Sequence, residues 1–319
     1  PIAGVGGYFS SADSFPRMVN PYSNERDIIY MSSTPDDPPG ARGNYFESTL
    51  AHEFQHMIQW NVNRYRDIWL DEGFSEIASH VNAYDVGGSD FAFTVQPDTQ
   101  LNAWAEAGDS VEHYGASYLF FRYVVDRYGG EKVLPLILRQ EGLGTGAVDS
   151  ALRSSGQFMG FDGAFKDWTV ANVLNDKTIA NGRYSYSAGG RVSPSRTLRQ
   201  YPATRSETVR QYGADYIALA GNLKRGTLTF KGNRSVRVLG ADAWNGGAYW
   251  YSNRRDGGDA TLTREVDLSR VTKATLRFQT WYDIEQAYDY AYVVASTDGG
   301  KSWTTLRGRS STNDNPNGG

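Results

Sequence analysis

The sequence predicts an α+β protein of more than one domain, with a mostly helical region and a small sheet followed by an all-β region. Its 319 residues are 39% hydrophobic, which is enough apolar material for two cores. Apolar residues recur at helical spacing before about residue 180 and alternate as in strands after it. The charge also changes there: residues 1–180 carry 12 Lys and Arg against 24 Asp and Glu, whereas residues 181–319 carry 20 against 12.

These changes predict three domains. We expect a catalytic domain over residues 1–180 with a complete core of its own, a small β linker domain over 181–240 and a β-sandwich, or jelly-roll-like, domain over 241–319. Only about four convincing strands follow residue 241, fewer than the seven or eight of a two-sheet sandwich. We therefore expect this sandwich to be truncated, and the chain to be a piece of a longer protein.

Several kinds of site and partner are excluded or not indicated. The chain has no cysteine, so disulfides and thiolate metal sites are excluded. It has no apolar run of the eighteen or so residues that a membrane span requires. The basic second half lacks a recognisable nucleic-acid module. Nothing in the sequence indicates an oligomeric state.

The predicted elements of the first half are one strand and six helices. The strand covers residues 27–31. Ser48 can cap the first helix, which continues to about Trp60 with Leu50, Phe54, Met57 and Ile58 as its core face. The other helices are predicted to start near Trp69 and to cover residues 114–127, 131–140, 146–154 and 161–174.

The second half is predicted to consist of short strands. They are expected at residues 216–219, 226–230, 236–239, 248–251, 260–267, 274–281 and 290–296, with a further candidate at 303–306. The segment Ser296–Trp303 fits the Asp-box turn of sialidase propellers. Because a propeller needs several such turns at regular spacing and this chain has one, we interpret it as a hairpin turn with Trp303 packed beneath.

The segment Ala51-His52-Glu53-Phe54-Gln55-His56 is an HExxH motif within a predicted helix. Residues four apart share a helix face, so His52 and His56 can bind one Zn²⁺ ion. Catalytic zinc takes three protein ligands and keeps one position for water, whose pKa it lowers. Glu53 stands beside the first ligand, where it can take the proton of that water. The pattern therefore predicts a catalytic zinc site.

The next helix contains Asp71-Glu72-Gly73-Phe74-Ser75-Glu76. With HExxH, this resembles the gluzincin peptidases, whose familiar member is thermolysin. The resemblance implies that Glu72 is the third zinc ligand and that Glu76 orients His52, while Gly73 lets the two helices approach closely. Only fifteen residues separate His56 from Glu72, fewer than in thermolysin, so Glu76 remains an alternative ligand.

A third motif is Glu112-His113-Tyr114-Gly115. In gluzincins a Tyr or His near the start of a later helix donates a hydrogen bond to the oxyanion, so the resemblance makes His113 and Tyr114 candidates. The remaining histidine of the chain, His80, is predicted to be structural.

The helical half is similar to secreted bacterial gluzincin-type metallopeptidases related to hyicolysin. The residues after 240 look like the β-domain of immune inhibitor A peptidases, through the segments 262–268, 281–285 and 289–293. The combined resemblance implies a secreted zinc endopeptidase with protein or peptide substrates, and is compatible with a structural Ca²⁺ ion. The alternatives are a metallo-aminopeptidase, although its G-x-M-E-N loop is absent, and a binding or adhesion protein with a degenerate site.

Overall fold

The computed structural model describes residues 5–32, 44–64, 67–105, 110–140, 144–188, 190–221, 225–253 and 259–314. The chain forms two compact units. The first comprises Pro1–Leu228 with Asn253–Ala260, and the second comprises Thr229–Ser252 with Thr261–Gly319.

The first unit begins with a hairpin, in which β1 (Gly7–Phe9) pairs antiparallel with β2 (Ile29–Met31). The helices follow in this order: α1 (Tyr45–Val62), α2 (Ile68–Val81), α3 (Ser89–Val95), α4 (Val111–Arg127), α5 (Val133–Leu138), α6 (Gly144–Ser154) and α7 (Gly160–Leu174). The small sheet and six of these helices agree with the predictions, whereas the short helix α3 was not predicted.

The hydrophobic core lies between α2, α4, α6 and α7 and is rich in aromatic rings. Trp69 stacks on Phe121 with ring centroids 5.4 Å apart, and Phe93 stacks on Trp168 at 5.3 Å. A Cβ on Gly73 would lie 2.7 Å from the Phe121 ring. The close approach that Gly73 permits is therefore between α2 and α4, not between α2 and the HExxH helix.

The core also includes residues beyond the predicted boundary at residue 180. Tyr186 is buried and donates to Asn172 Oδ1 at 2.6 Å, and Tyr216 donates to the Thr169 carbonyl at 2.8 Å. The Tyr212 ring packs on Phe161 at 5.1 Å. The expectation of a complete core by residue 180 is wrong, because these tyrosines cover α7.

Two predictions for α1 need correction. The helix begins three residues before Ser48, whose hydroxyl instead donates to the Asp85 carbonyl at 2.8 Å. Its predicted core face is largely exposed, at 40% for Leu50, 48% for Phe54 and 38% for Ile58. The physical reason is that α1 packs its polar side against α2 and the β1–β2 hairpin, which bury Gln59 and Glu53 instead.

The strands after α7 are few. Strand β3 (Arg196–Leu198) pairs parallel with β4 (Ile217–Leu219) in the first unit. In the second unit β5 (Val294–Ala295) pairs antiparallel with β6 (Thr304–Thr305), which confirms a hairpin around the Asp-box turn, although Trp303 is half exposed. Residues 226–230, 236–239, 248–251, 260–267 and 274–281, all of them described, form no strand, and the sandwich is not confirmed. Alternating apolar residues favour a strand, but a strand also needs a partner that periodicity does not specify.

Candidate metal centre

The two histidines of the HExxH motif lie side by side on α1. Their ring centroids are 4.8 Å apart, and both side chains are mostly buried. Glu72 reaches them from α2, the helix packed against α1. Its Oε2 atom lies 3.0 Å from His52 Nε2 and 3.4 Å from His56 Nε2. Three donor atoms from two helices therefore converge on one point.

This arrangement fits a zinc ion. Zinc binds nitrogen and carboxylate oxygen at about 2.0–2.2 Å, so two ligands of a tetrahedral ion stand roughly 3.3–3.5 Å apart. The contacts of Glu72 with the two Nε2 atoms are close to that separation. The donor set of two imidazoles and one carboxylate is also one that catalytic zinc uses. The Glu53 carboxylate also lies near this point, since one of its oxygens and one ring nitrogen of each histidine are within 4.8 Å of one another.

The outer nitrogens of both imidazoles face carboxylates. His52 Nδ1 lies 3.2 Å from Glu76 Oε1, and His56 Nδ1 lies 3.0 Å from Asp71 Oδ2. The Ser75 hydroxyl lies 3.3 Å from the same His56 nitrogen. Nδ1–H groups that donate to these oxygens leave each Nε2 available to a metal. Asp71 was missed in the sequence, although its place beside Glu72 was the available signal.

Burial and hydrogen bonding act in opposite directions on the pKa values of these groups. Burial lowers the pKa of His52, but the hydrogen bonds to Glu72 and Glu76 outweigh it and raise that pKa to about 9. Burial raises the pKa of Glu72, yet the two imidazoles bring it down to about 2. Glu72 is thus held as a carboxylate, which is the form that binds a metal.

Glu53 is positioned by the β-hairpin. It is buried on α1, and its Oε2 accepts a hydrogen bond of 2.9 Å from the Phe9 backbone N–H. Glu53 lies within 4.8 Å of the donor atoms of both histidines, but Glu72 is closer to both Nε2 atoms. The geometry therefore places Glu53 beside the ligands, held by a strand.

The outer edge of β1 faces this site. Just outside the two strands, Ser32 N donates to Gly6 O at 2.8 Å and Ser10 N donates to Ile28 O at 3.4 Å. Gly6, Tyr8 and Ser10 therefore direct their backbone groups toward β2. In an antiparallel pair the residues between them point their N–H and C=O groups the other way. Gly7 and Phe9 thus face the opposite edge, where Phe9 N–H meets Glu53.

The structure separates the two oxyanion candidates at the start of α4. The Tyr114 ring lies 6.1 Å from the His52 ring. Burial is the largest cause that raises the Tyr114 pKa, followed by the nearby carboxylates, with a hydrogen bond to Glu72 among the causes. Both rings contact Trp104, with centroids 4.8 Å apart for Tyr114 and 5.6 Å for His113. His113, however, lies near the backbone of Gln100 and Ala103, and burial lowers its pKa.

His80 lies outside the group at the metal centre. Its Nδ1 atom is 2.9 Å from the Tyr118 hydroxyl, and burial is the main cause that lowers its pKa. This contact joins α2 to α4. The hydrogen bond to Tyr118 is consistent with the structural role predicted for His80.

Comparison with known proteins links both parts of the chain to metalloproteases. Residues 224–319 match the family described as Immune inhibitor A-like, MAM domain. The neutral metalloprotease ShpI of Staphylococcus hyicus is 26% identical over 226 residues, which cover 63% of this chain and 49% of ShpI. The pre-pro-metalloprotease PrtV of Vibrio cholerae is 37% identical over 73 residues, or 23% of this chain and 7% of PrtV.

The resemblance to metallopeptidases and to immune inhibitor A is confirmed by these matches. The chain spans about half the length of ShpI and a small part of PrtV. Within the described residues, no helix is both long and apolar enough to cross a membrane.

Proposed function

We propose that this chain carries the catalytic centre of a secreted zinc-dependent endopeptidase. The observation that carries the proposal is the contact of the Glu72 Oε2 atom with both His52 Nε2 and His56 Nε2, beside a buried Glu53. The similarity to metalloproteases supports a peptidase reaction. Secretion rests on the family resemblance.

The proposed roles follow from the positions of the side chains. His52, His56 and Glu72 would hold Zn²⁺, while Glu76 and Asp71 keep the two imidazoles in the tautomer that presents Nε2. A zinc ion bound there would polarise the scissile carbonyl and lower the pKa of the attacking water toward roughly 7. Glu53 accepts the proton of that water and delivers it to the leaving amine. The Tyr114 O–H stabilises the charge that develops on the carbonyl oxygen.

The outer edge of β1 supports an endopeptidase over an aminopeptidase. Gly7 directs its N–H and C=O, and Phe9 its C=O, along the side of the strand that faces Glu53, while the Phe9 N–H is bonded to Glu53 itself. An extended peptide can pair with such an edge through its main chain, whatever its side chains are. Main-chain pairing binds a substrate at internal positions and does not require a free amino group.

The experiment compares wild-type protein with Glu53→Gln. We expect both to contain zinc, and the wild type to hydrolyse casein unless a chelator is present. Glu53→Gln should lose about 10²–10⁴-fold in kcat, because a general base typically contributes that much. Near-normal turnover in a zinc-loaded Glu53→Gln protein would reject this mechanism.

Peptides with acetylated N-termini distinguish the two kinds of peptidase. An endopeptidase cleaves acetylated and free peptides equally, whereas an aminopeptidase needs the free amine. Cleavage restricted to free N-termini would favour the aminopeptidase alternative. A zinc-loaded protein that cleaves neither would favour a binding protein.

A further inference from the structure

The connection between β1 and β2, residues 10–28, ends in a cluster of exposed apolar side chains. Met18 is 93% exposed, Val19 64% and Tyr22 92%. We call these three residues the apolar tip. Apolar side chains that are gathered on a loop and left in water are typical of binding surfaces.

The loop that carries the apolar tip is held in one conformation by internal hydrogen bonds. Asp13 is buried at its centre, where Oδ1 accepts from Asn24 N at 2.9 Å and from Asn24 Nδ2 at 2.8 Å. Its Oδ2 accepts from the Tyr30 hydroxyl at 2.8 Å. The buried Ser23 hydroxyl donates to the Asp13 carbonyl at 2.8 Å. A loop ordered in advance loses little entropy on binding.

The apolar tip itself is shaped by turns. The backbone N–H groups of Val19 and Asn20 both donate to the Pro16 carbonyl, at 2.8 and 3.0 Å, and Ser23 N donates to Asn20 O at 3.0 Å. The Arg17 Nε–H is directed back to the Ser23 carbonyl at 3.0 Å. These hydrogen bonds fold the backbone under the tip, so that Met18, Val19 and Tyr22 project into solvent.

Both ends of the loop are fixed next to the metal centre. The loop starts directly after Phe9, whose N–H bonds to Glu53. The Phe15 ring contacts the Trp60 ring at 5.8 Å, and Asn61 Nδ2 lies 3.4 Å from Asp27 Oδ2. Trp60 is four residues beyond His56 on α1, about 6 Å along the helix axis. The loop therefore starts at the strand edge that faces Glu53 and contacts the C-terminal end of α1.

We propose that the apolar tip binds the substrate chain at a distance from the cleaved bond, and selects extended protein segments with apolar residues there. This inference rests on the proposed function and names its substrate class. A peptide paired along β1 advances about 3.3 Å per residue. A peptide that continues past the Phe9 end of β1 spans roughly 10–20 Å between the cleaved bond and a residue three to six positions away. Its apolar side chains then cover those of the tip.

The test uses two peptides with the same cleaved core. One is short, and the other is extended at both ends by six residues that include Leu and Phe. The loop variant replaces Met18, Val19 and Tyr22 with Ser. The matched control is Phe158→Ser, because Phe158 is 90% exposed in the same unit and belongs to the connection between α6 and α7. We expect the loop variant to lose about 10–30-fold in kcat/KM on the long peptide, since burial of apolar surface is lost. It should keep wild-type kcat/KM on the short peptide, and Phe158→Ser should change neither.

A binding measurement separates this proposal from the proposed function. In the Glu53→Gln protein, the long peptide should bind more weakly by the same factor when the three tip substitutions are added. Equal affinity would overturn the proposal, as would equal losses on the two peptides. If the loop variant loses binding to phosphatidylcholine vesicles while its kcat/KM and affinity for the long peptide stay unchanged, the tip binds a lipid surface and the proposal is overturned. Absence of hydrolysis of both peptides by the wild type would reject the proposed function, while the affinity measurement would still test the apolar tip.

Discussion

At the scale of single residues, the carboxylates around the two imidazoles have distinct positions. Glu72 contacts the Nε2 atoms of both histidines, whereas Glu76 and Asp71 each contact one outer Nδ1 atom. A carboxylate at Nε2 can itself be a metal ligand, but one at Nδ1 can act only through the imidazole that it orients. The geometry thus favours Glu72 over Glu76, the choice that the short spacing after His56 had left open.

This difference predicts the metal content of two variants. Glu72→Ala should lose zinc almost completely, because a ligand is removed. Glu76→Ala should lose only about 10–100-fold in zinc affinity, as is usual for groups that orient a ligand. Metal analysis of the purified proteins checks both, with the exposed Glu47 of α1, as Glu47→Ala, for control. The reverse order of zinc loss would make Glu76 the ligand.

A second prediction at this scale concerns the two neighbours at the start of α4. Tyr114 lies beside His52 and Glu72, whereas His113 lies near the backbone of Gln100 and Ala103. Tyr114→Phe should therefore lower kcat about 10²–10³-fold with little change in KM, since an oxyanion donor acts on charge that develops in the transition state. His113→Gln should keep kcat. Steady-state kinetics on zinc-loaded variants would contradict this if His113→Gln were the defective one.

At the scale of elements, helix packing explains why the side of α1 with His52 and His56 faces the interior. The face toward α2 carries His52, His56 and Gln59, and Gln59 Nε2 donates to the Asp71 carbonyl at 3.0 Å. Polar groups tolerate burial when they are hydrogen-bonded in this way. The apolar residues of α1 are left half exposed on the other side. Hydrophobic periodicity alone therefore indicated the wrong interior face of this helix.

The close contact of α2 with α4 gives a prediction about two glycines. A Cβ on Gly73 would lie 2.7 Å from the Phe121 ring and 2.9 Å from the Ser117 Cβ, so Gly73→Ala overpacks the contact. It should lower the free energy of unfolding by about 1–3 kcal/mol.

Gly146, within α6, is the matched control because a Cβ there would meet nothing within 4 Å. Gly146→Ala should raise the free energy of unfolding by roughly 0.5–1 kcal/mol through helix propensity. Denaturant titrations measure both changes. Equal stabilities of Gly73→Ala and wild type would show that α2 and α4 separate at little cost.

At the scale of the whole molecule, the first unit continues well beyond the predicted boundary. Charge and pattern both change near residue 180, yet the packing of Tyr186, Tyr212 and Tyr216 continues across that point. The chain is divided instead near residue 228. The domain limits that we propose are therefore a catalytic unit to about residue 228 and a β-rich unit after it.

Limited proteolysis checks this limit. The protected fragment that retains zinc should extend past residue 219. The reason is that β4 pairs with β3, and Tyr216 just before β4 is hydrogen-bonded to Thr169 of α7. Mass spectrometry of the fragments gives their ends. A stable zinc-containing fragment that ends near residue 180 would restore the boundary predicted from charge.

The sequence by itself determined the HExxH motif and most of the helical fold. HExxH and the acidic helix are local patterns, and the helical period of 3.6 residues decides which of their side chains share a face. For the same reason six of the seven α-helices in the described residues were predicted. The Asp-box hairpin was predicted from its turn residues, which are also a local pattern.

Only the tertiary structure decided which groups meet across elements. Asp71 on His56, Phe9 N–H on Glu53 and the choice between Tyr114 and His113 all depend on how separate elements pack. The interior face of α1 and the tyrosines that cover α7 depend on it too. Strand pairing after residue 228 is long-range as well, and alternation of apolar residues does not encode its partners. Local periodicity therefore placed the residues on their helices, and packing between elements determined the environment of each one.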